Sequence, residues 1–118
     1  MHADERGRTT KAADATQLLR DDFRRRLEIF YARLRLAPPY HTIEKAIGSL
    51  STALTAMTQE ERERTAEDPA RQWAQYQAAF IQSGLNRKHR GIIAGLVRAR
   101  RTHNLTPEFQ PFLDAFMS

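Results

Sequence analysis

Cysteine is absent from the 118 residues of this sequence, so the fold has no disulfide and no thiolate for a metal site. Long apolar runs are absent too: no stretch approaches the roughly 20 residues that a membrane-spanning helix needs. Glycine and proline number only five each, which excludes collagen-like and linker-like chains. The polar first residues lack the apolar region of a signal peptide. We therefore expect a cytoplasmic protein, with no membrane partner, that is stabilised by packing.

Sequence motifs for catalysis, cofactors and metal ions are missing as well. The four histidines have no metal-ligand spacing, and there is no glycine-rich phosphate loop and no nucleophile elbow. The adjacent carboxylates Asp21 and Asp22 would point about 100° apart on a helix, which favours ion pairs with nearby arginines over a catalytic pair. We therefore predict that the protein is not an enzyme and that it holds neither a cofactor nor a metal ion.

Apolar residues recur at helical spacing along most of the chain, and no useful stretch alternates with a period of two. A stripe from Leu19 to Leu34 predicts a long first helix that ends before Pro38. We predict an all-α fold, a compact bundle of five to six helices, in which residues 1–13 form a flexible arm and residues 14–118 form a single domain. The predicted starts of the later helices are Thr42, the Thr58–Glu61 capping box, Asp68 with Pro69, and Asn86 after the left-handed Gly84.

Charge is distributed unevenly along the sequence. There are 19 basic residues against 14 acidic ones, and 16 of the basic residues are arginine, whose planar fork donates two parallel hydrogen bonds to phosphate. Residues 43–68 carry three basic and six acidic side chains, whereas residues 69–118 carry seven basic and two acidic ones. The positive charge therefore lies towards the two ends of the chain, with an acidic segment between them.

The basic segment, Leu85–Arg101, carries six cationic side chains and no acidic one. We predict that it is one amphipathic helix with an apolar face for the core and an arginine face for solvent. Gly91, Gly95 and Ala99 form a third strip, and because glycine costs about 1 kcal/mol of helix stability per site, the strip predicts close approach of a helix or a phosphate chain. The predicted nucleic-acid-binding residues are Arg87, Lys88, Arg90, Arg98, Arg100 and Arg101, together with Arg24 and Arg25 of the first helix.

Several uses of this basic surface are compatible with the sequence. A stripe of arginines without counter-charge is suited to the phosphate backbone of nucleic acid, because binding there releases counterions. The same charges could instead form a solvated helix face, or a face for an acidic partner protein, which would make the chain a helical adaptor. A helix-turn-helix over residues 72–101 would indicate a small DNA-binding regulator of plasmid or phage type, although Arg90 stands where an apolar anchor is expected.

Residues 90–117, RGIIAGLVRARRTHNLTPEFQPFLDAFM, combine an arginine-led amphipathic helix, a short polar connection, and a terminal helix with an acidic and an aromatic residue near its end. The residues that carry this pattern are Arg90, Leu96, Val97, Arg98, Leu105, Leu113, Asp114 and Phe116. In this stretch the chain resembles the small subunits of CRISPR effector complexes.

The resemblance implies a compact helical bundle without a catalytic site, which acts in antiviral defence inside a larger nucleoprotein complex. Its partners would be a guide–target duplex or a displaced strand, and other subunits of the complex, among them copies of itself. The basic residues of Leu85–Arg101 would then contact RNA or DNA. Contacts of arginine with phosphate carry little sequence information, so we expect low sequence preference.

Overall fold

The computed structural model describes the backbone of residues 2–117 and the side chains of residues 15–117. The arm predicted for residues 1–13 lies outside the residues whose side chains are described. All regular structure in residues 2–117 is helical, which confirms the all-α prediction, with seven α-helices rather than five to six. The helices are α1 (His2–Arg33), α2 (Tyr40–Thr55), α3 (Gln59–Glu67), α4 (Pro69–Gln82), α5 (Leu85–Lys88), α6 (Arg90–Arg98) and α7 (Gln110–Met117), and a 3-10 turn (Pro107–Phe109) precedes α7.

The predicted apolar stripe of α1 forms one side of the core. Leu19, Phe23, Leu27 and Phe30 are fully buried, because residues spaced by three or four share one face of a helix. α2 contributes a second stripe in the same way, from Ile43 to Leu54. Helices α2, α3 and α4 follow one another through short turns and pack together and, in part, against α1.

An aromatic cluster around Phe30 joins distant parts of the chain. Aromatic neighbours at these distances add about 0.5–1.5 kcal/mol per pair beyond the buried area. The cluster brings together α1, α4, the 3-10 turn and α7, so the C-terminal aromatic residues dock on the core. The ring centroids within 6.4 Å of Phe30 are those of Tyr31, Phe80, Phe109, Phe112 and Phe116.

Two of the predicted helix starts are confirmed by their hydrogen bonds. The Thr58 hydroxyl accepts a hydrogen bond from the Glu61 N–H (3.1 Å), and the Glu61 carboxylate accepts one from the Thr58 N–H (2.8 Å), which completes the capping box. The Asp68 carboxylate accepts from the Ala70 N–H at 3.0 Å, with proline in the first turn. Helices α3 and α4 therefore begin where local sequence chemistry places them.

The predicted start of α2 at Thr42 is wrong. The helix begins at Tyr40, and the Ile43 N–H already donates to the carbonyl of Pro39 at 2.9 Å. Proline suits the start of a helix, because its φ is fixed and the N–H group that it lacks would have no acceptor there. Helix α2 therefore starts after Pro39 without a side-chain cap.

None of the helices in residues 2–117 has both the length and the apolar character required to cross a membrane.

Candidate nucleic-acid interface

The basic segment is not one continuous helix, and this part of the prediction is wrong. Helix α5 ends at Lys88, His89 leaves helical geometry (φ −124°, ψ 30°), and α6 begins at Arg90. The half-buried His89 ring packs edge-on against the Tyr31 ring, with 5.7 Å between centroids. Its carbonyl accepts the first hydrogen bond of α6, from the Ile93 N–H at 2.9 Å. A packing contact with α1 accompanies the interruption of the helix here.

Asn86 does not cap the basic segment as predicted. It lies inside α5, is 8% exposed, and donates from Nδ2 to the Ala115 carbonyl of α7 at 3.1 Å. Gly84, at φ 82°, has the predicted left-handed conformation and turns the chain from α4 into α5. The side chain of Asn86 therefore fixes the basic segment to the last helix rather than starting it.

Helix α6 buries only part of its apolar face. Ile93 is fully buried and Leu96 packs against the core, while Ile92 is 54% exposed. A Cβ placed on Gly91 or Gly95 would meet no other atom within 4 Å. The predicted small-residue strip is therefore not used for packing between helices in the described part of the chain.

The chain leaves α6 through a Schellman motif with arginine in the position that usually holds glycine. Arg100 has φ 57°, the Arg101 N–H donates to the Leu96 carbonyl (2.8 Å), and the Arg100 N–H donates to the Val97 carbonyl (3.0 Å). A left-handed conformation costs a residue with a Cβ about 1–2 kcal/mol. The segment after α6 thus adopts a turn for which its own sequence is not optimal.

Helix α1 ends in the same way. Arg35 has φ 58°, the Leu36 N–H donates to the Tyr31 carbonyl, and the Arg35 N–H donates to the Ala32 carbonyl, both at 3.0 Å. Arg35 and Arg100 are the two non-glycine residues with positive φ among those described. Both left-handed arginines follow the C-terminus of a helix.

The C-terminal ends of α1 and α6 border a common groove of about 450 Å³, which we name the arginine groove. None of its lining residues is acidic, and two of them, Leu34 and Leu96, give it apolar walls. The Arg33 guanidinium donates to the Asn104 carbonyl at 3.4 Å and lies over the Phe109 ring, 5.8 Å from its centroid. The residues lining the groove are Arg33, Leu34, Arg35, Leu96, Arg101, His103 and Asn104.

The arginine groove carries a surplus of positive charge. Among the described side chains, no carboxylate forms an ion pair with Arg33, Arg35 or Arg101. The C-terminus of each bordering helix contributes roughly half a negative charge, so α1 and α6 together offset about one of the three guanidinium charges. About two positive charges remain without a counter-charge, and an anion is the ligand that such a groove attracts.

The predicted residues on the first helix are placed differently. Arg24 forms an ion pair with Glu44, which holds the pKa of that carboxyl below its ordinary value. Arg25 pairs with Asp22 at 2.8 Å. Both arginines lie beside a carboxylate and neither lines the arginine groove.

Of the eight predicted residues, only Arg101 lines the groove. The others of the basic segment lie on the exposed surface outside it, and within the described residues no carboxylate pairs with Arg87, Lys88, Arg98 or Arg100. The sequence interpretation missed Arg33, Arg35 and His103. One signal in the sequence could have revealed them: arginines cluster where the apolar stripes of α1 and α6 end.

The side chains described in residues 15–117 contain no group of three histidine, aspartate or glutamate residues placed to hold a metal ion.

No protein-family model matches the chain, and no curated protein or solved structure matches it either.

Proposed function

We propose that this protein is a non-enzymatic subunit that binds the phosphate backbone of nucleic acid inside a larger nucleoprotein complex of the CRISPR effector kind. The observation that supports this most directly is the arginine groove, in which Arg33, Arg35 and Arg101 line one cavity without a carboxylate beside them. The cations of α5 and α6 are exposed as well.

Arginine suits this task better than lysine does, because its guanidinium forms two parallel hydrogen bonds to phosphate and stays charged at all relevant pH values. The aromatic rings of Trp73 and Tyr76 are used in packing and are not free to stack on bases. Tyr76 is fully buried, and Trp73 packs edge-on against Phe112 with 5.1 Å between centroids. Contacts to phosphate without stacking on bases give binding with low sequence preference.

The test compares two triple variants that remove the same charge. The groove variant carries Arg33→Ala, Arg35→Ala and Arg101→Ala, and its control carries Lys45→Ala, Arg64→Ala and Arg71→Ala, which replaces exposed cations of α2, α3 and α4. Fluorescence anisotropy with single- and double-stranded oligonucleotides of mixed sequence measures affinity over a salt series.

The groove variant is expected to lose at least about tenfold in affinity for all sequences, and its slope of log affinity against log salt falls by about two to three. The control variant stays close to the wild type. Equal losses in both variants would mean that only net charge matters, and the absence of any binding by the wild type at low salt would refute the proposal.

Purification at low salt tests the assembly. Copurification with nucleic acid and with companion subunits supports a nucleoprotein subunit. Copurification with one acidic protein and no nucleic acid would identify a helical adaptor instead. Selection of a palindromic DNA site would identify a regulator of plasmid or phage type, since a symmetric dimer reads a symmetric site.

A further inference from the structure

We infer that the arginine groove is a binding site for a phosphate monoester, which on a nucleic-acid strand is the terminal phosphate. The inference rests on the proposed function and goes beyond it, because contacts to a backbone require only exposed cations along a surface. The groove differs from such a surface in its convergence, its charge and its backbone geometry.

Convergence is the first difference. Arg33 lies in the last turn of α1, Arg35 lies in the turn after it, and Arg101 follows α6, so arginines from three separate positions line one cavity. Arg33 is held in place by the Asn104 carbonyl and the face of Phe109. Grouping these like charges is unfavourable while the groove is empty and becomes favourable once an anion neutralises them.

Charge is the second difference. A backbone phosphodiester carries one negative charge, whereas a phosphate monoester carries about −1.5 to −2 at pH 7 and offers three acceptor oxygens. The surplus of about two positive charges, after the two helix C-termini are counted, matches the monoester. Three arginine forks also match three acceptor oxygens, which a diester within a strand does not present.

Backbone geometry is the third difference. Glycine is the usual residue at the left-handed position of a Schellman motif, yet arginine occupies it after α1. Arg35 lines the groove in this unfavourable conformation. Strain of this kind clusters at functional sites, and Arg100, which has the same conformation, directly precedes the groove residue Arg101.

Size agrees with a terminal nucleotide. A volume of about 450 Å³ lies within the range of roughly 300–1,000 Å³ that is usual for small-molecule sites. The apolar walls, Leu34 and Leu96, offer a surface for the terminal sugar and base beyond the phosphate.

The test uses one single-stranded sequence in three forms: with a 5′-phosphate, with a 3′-phosphate, and with hydroxyls at both ends. Inorganic phosphate is added separately as a fourth probe. The variants are Arg35→Gly and Arg100→Gly, which relieve the same left-handed strain and remove the same charge, although only Arg35 lines the groove. Anisotropy measures binding, and thermal unfolding measures Tm.

The wild type is expected to bind one of the two phosphorylated forms at least about tenfold more tightly than the hydroxyl form. Arg35→Gly abolishes this preference while its Tm stays equal or rises, because glycine adopts the turn without strain. Arg100→Gly keeps the preference and shows the same change in Tm. If Arg35→Gly loses the preference for the phosphorylated form and also has a lower Tm, Arg35 has a structural role and the inference is overturned.

The outcomes separate the two proposals. If all three forms bind equally, backbone binding stands and the terminal-phosphate site is refuted. If no oligonucleotide binds but inorganic phosphate raises the Tm of the wild type and not of Arg35→Gly, the monoester site stands, its ligand is a free phosphate compound, and the proposed function fails. If neither oligonucleotides nor phosphate bind, both are refuted.

Discussion

The Tyr76 hydroxyl donates a 2.8 Å hydrogen bond to Asp22 Oδ2 and so joins α4 to α1. The same carboxylate accepts hydrogen bonds from Arg25 and Arg26, each at 2.8 Å. Burial by itself raises the pKa of Asp22, but the hydrogen bonds from Arg26, Tyr76 and Arg25 outweigh burial and leave the pKa below its ordinary value. The ionised carboxylate is therefore part of the folded state.

Replacing Asp22 by asparagine is expected to lower the free energy of unfolding at pH 7 by about 1–3 kcal/mol, because a charged acceptor of three hydrogen bonds is lost. Urea denaturation measures the change. Asp21→Asn is the control, since Asp21 is exposed and accepts a hydrogen bond from Gln17 at 2.8 Å. A similar loss in both variants would contradict a special role for Asp22.

The contribution of Asp22 also depends on pH. Because its folded-state pKa is lowered, its stabilisation is complete above the pKa of the unfolded chain, near 3.9, and is lost as pH falls through the folded-state value. The difference in Tm between the wild type and Asp22→Asn is therefore constant around neutrality and narrows below about pH 4. A difference that stays unchanged down to the acid transition would show that folding does not lower the pKa of Asp22.

The glycines of α6 offer a test of the close approach that the sequence suggests. Gly91→Ala and Gly95→Ala introduce a Cβ into open space, so each is expected to raise the free energy of unfolding by about 0.5–1 kcal/mol. If a phosphate chain approaches this strip, both variants bind nucleic acid more weakly despite being more stable. Gly48→Ala in α2, where a Cβ also meets nothing, is the matched control. Unchanged affinity would mean that the strip faces only solvent.

The predicted arginines of the basic segment and of α1 are expected to differ in their effect on binding. Arg98→Ala with Arg101→Ala removes charges that no carboxylate offsets in the described residues, and the salt slope should fall by about two. Arg24→Ala with Arg25→Ala removes charges already paired with Glu44 and Asp22, so the slope should change by less than one. Salt titrations of both double variants measure the two slopes. Equal slopes would show that Glu44 and Asp22 release Arg24 and Arg25 when nucleic acid binds.

Local chemistry explains what could be predicted from the sequence. The capping box of Thr58 and Glu61 needs only residues three apart, and Asp68 with Pro69 opens α4 for equally local reasons. The all-α class followed from periodicity, which the same short distances determine.

The features that could not be predicted depend on contacts between residues that are far apart along the chain. His89 interrupts the basic segment where its ring meets Tyr31, and Asn86 is drawn away from capping by the Ala115 carbonyl, 29 residues on. The arginine groove forms only when the residues near Arg33 and those near Arg101 are neighbours. No local pattern specifies that pairing.

The aromatic cluster around Phe30 has a consequence for how the chain folds. Helices α2, α3 and α4 are sequential neighbours and can associate over short stretches of chain, whereas the contacts of Phe30 with Phe112 and Phe116 close a loop of more than 80 residues. During synthesis the aromatic cluster around Phe30 stays incomplete until α7 has been made. We therefore expect the rate of folding to be limited by this late closure, in which α7 docks on helices that have already formed.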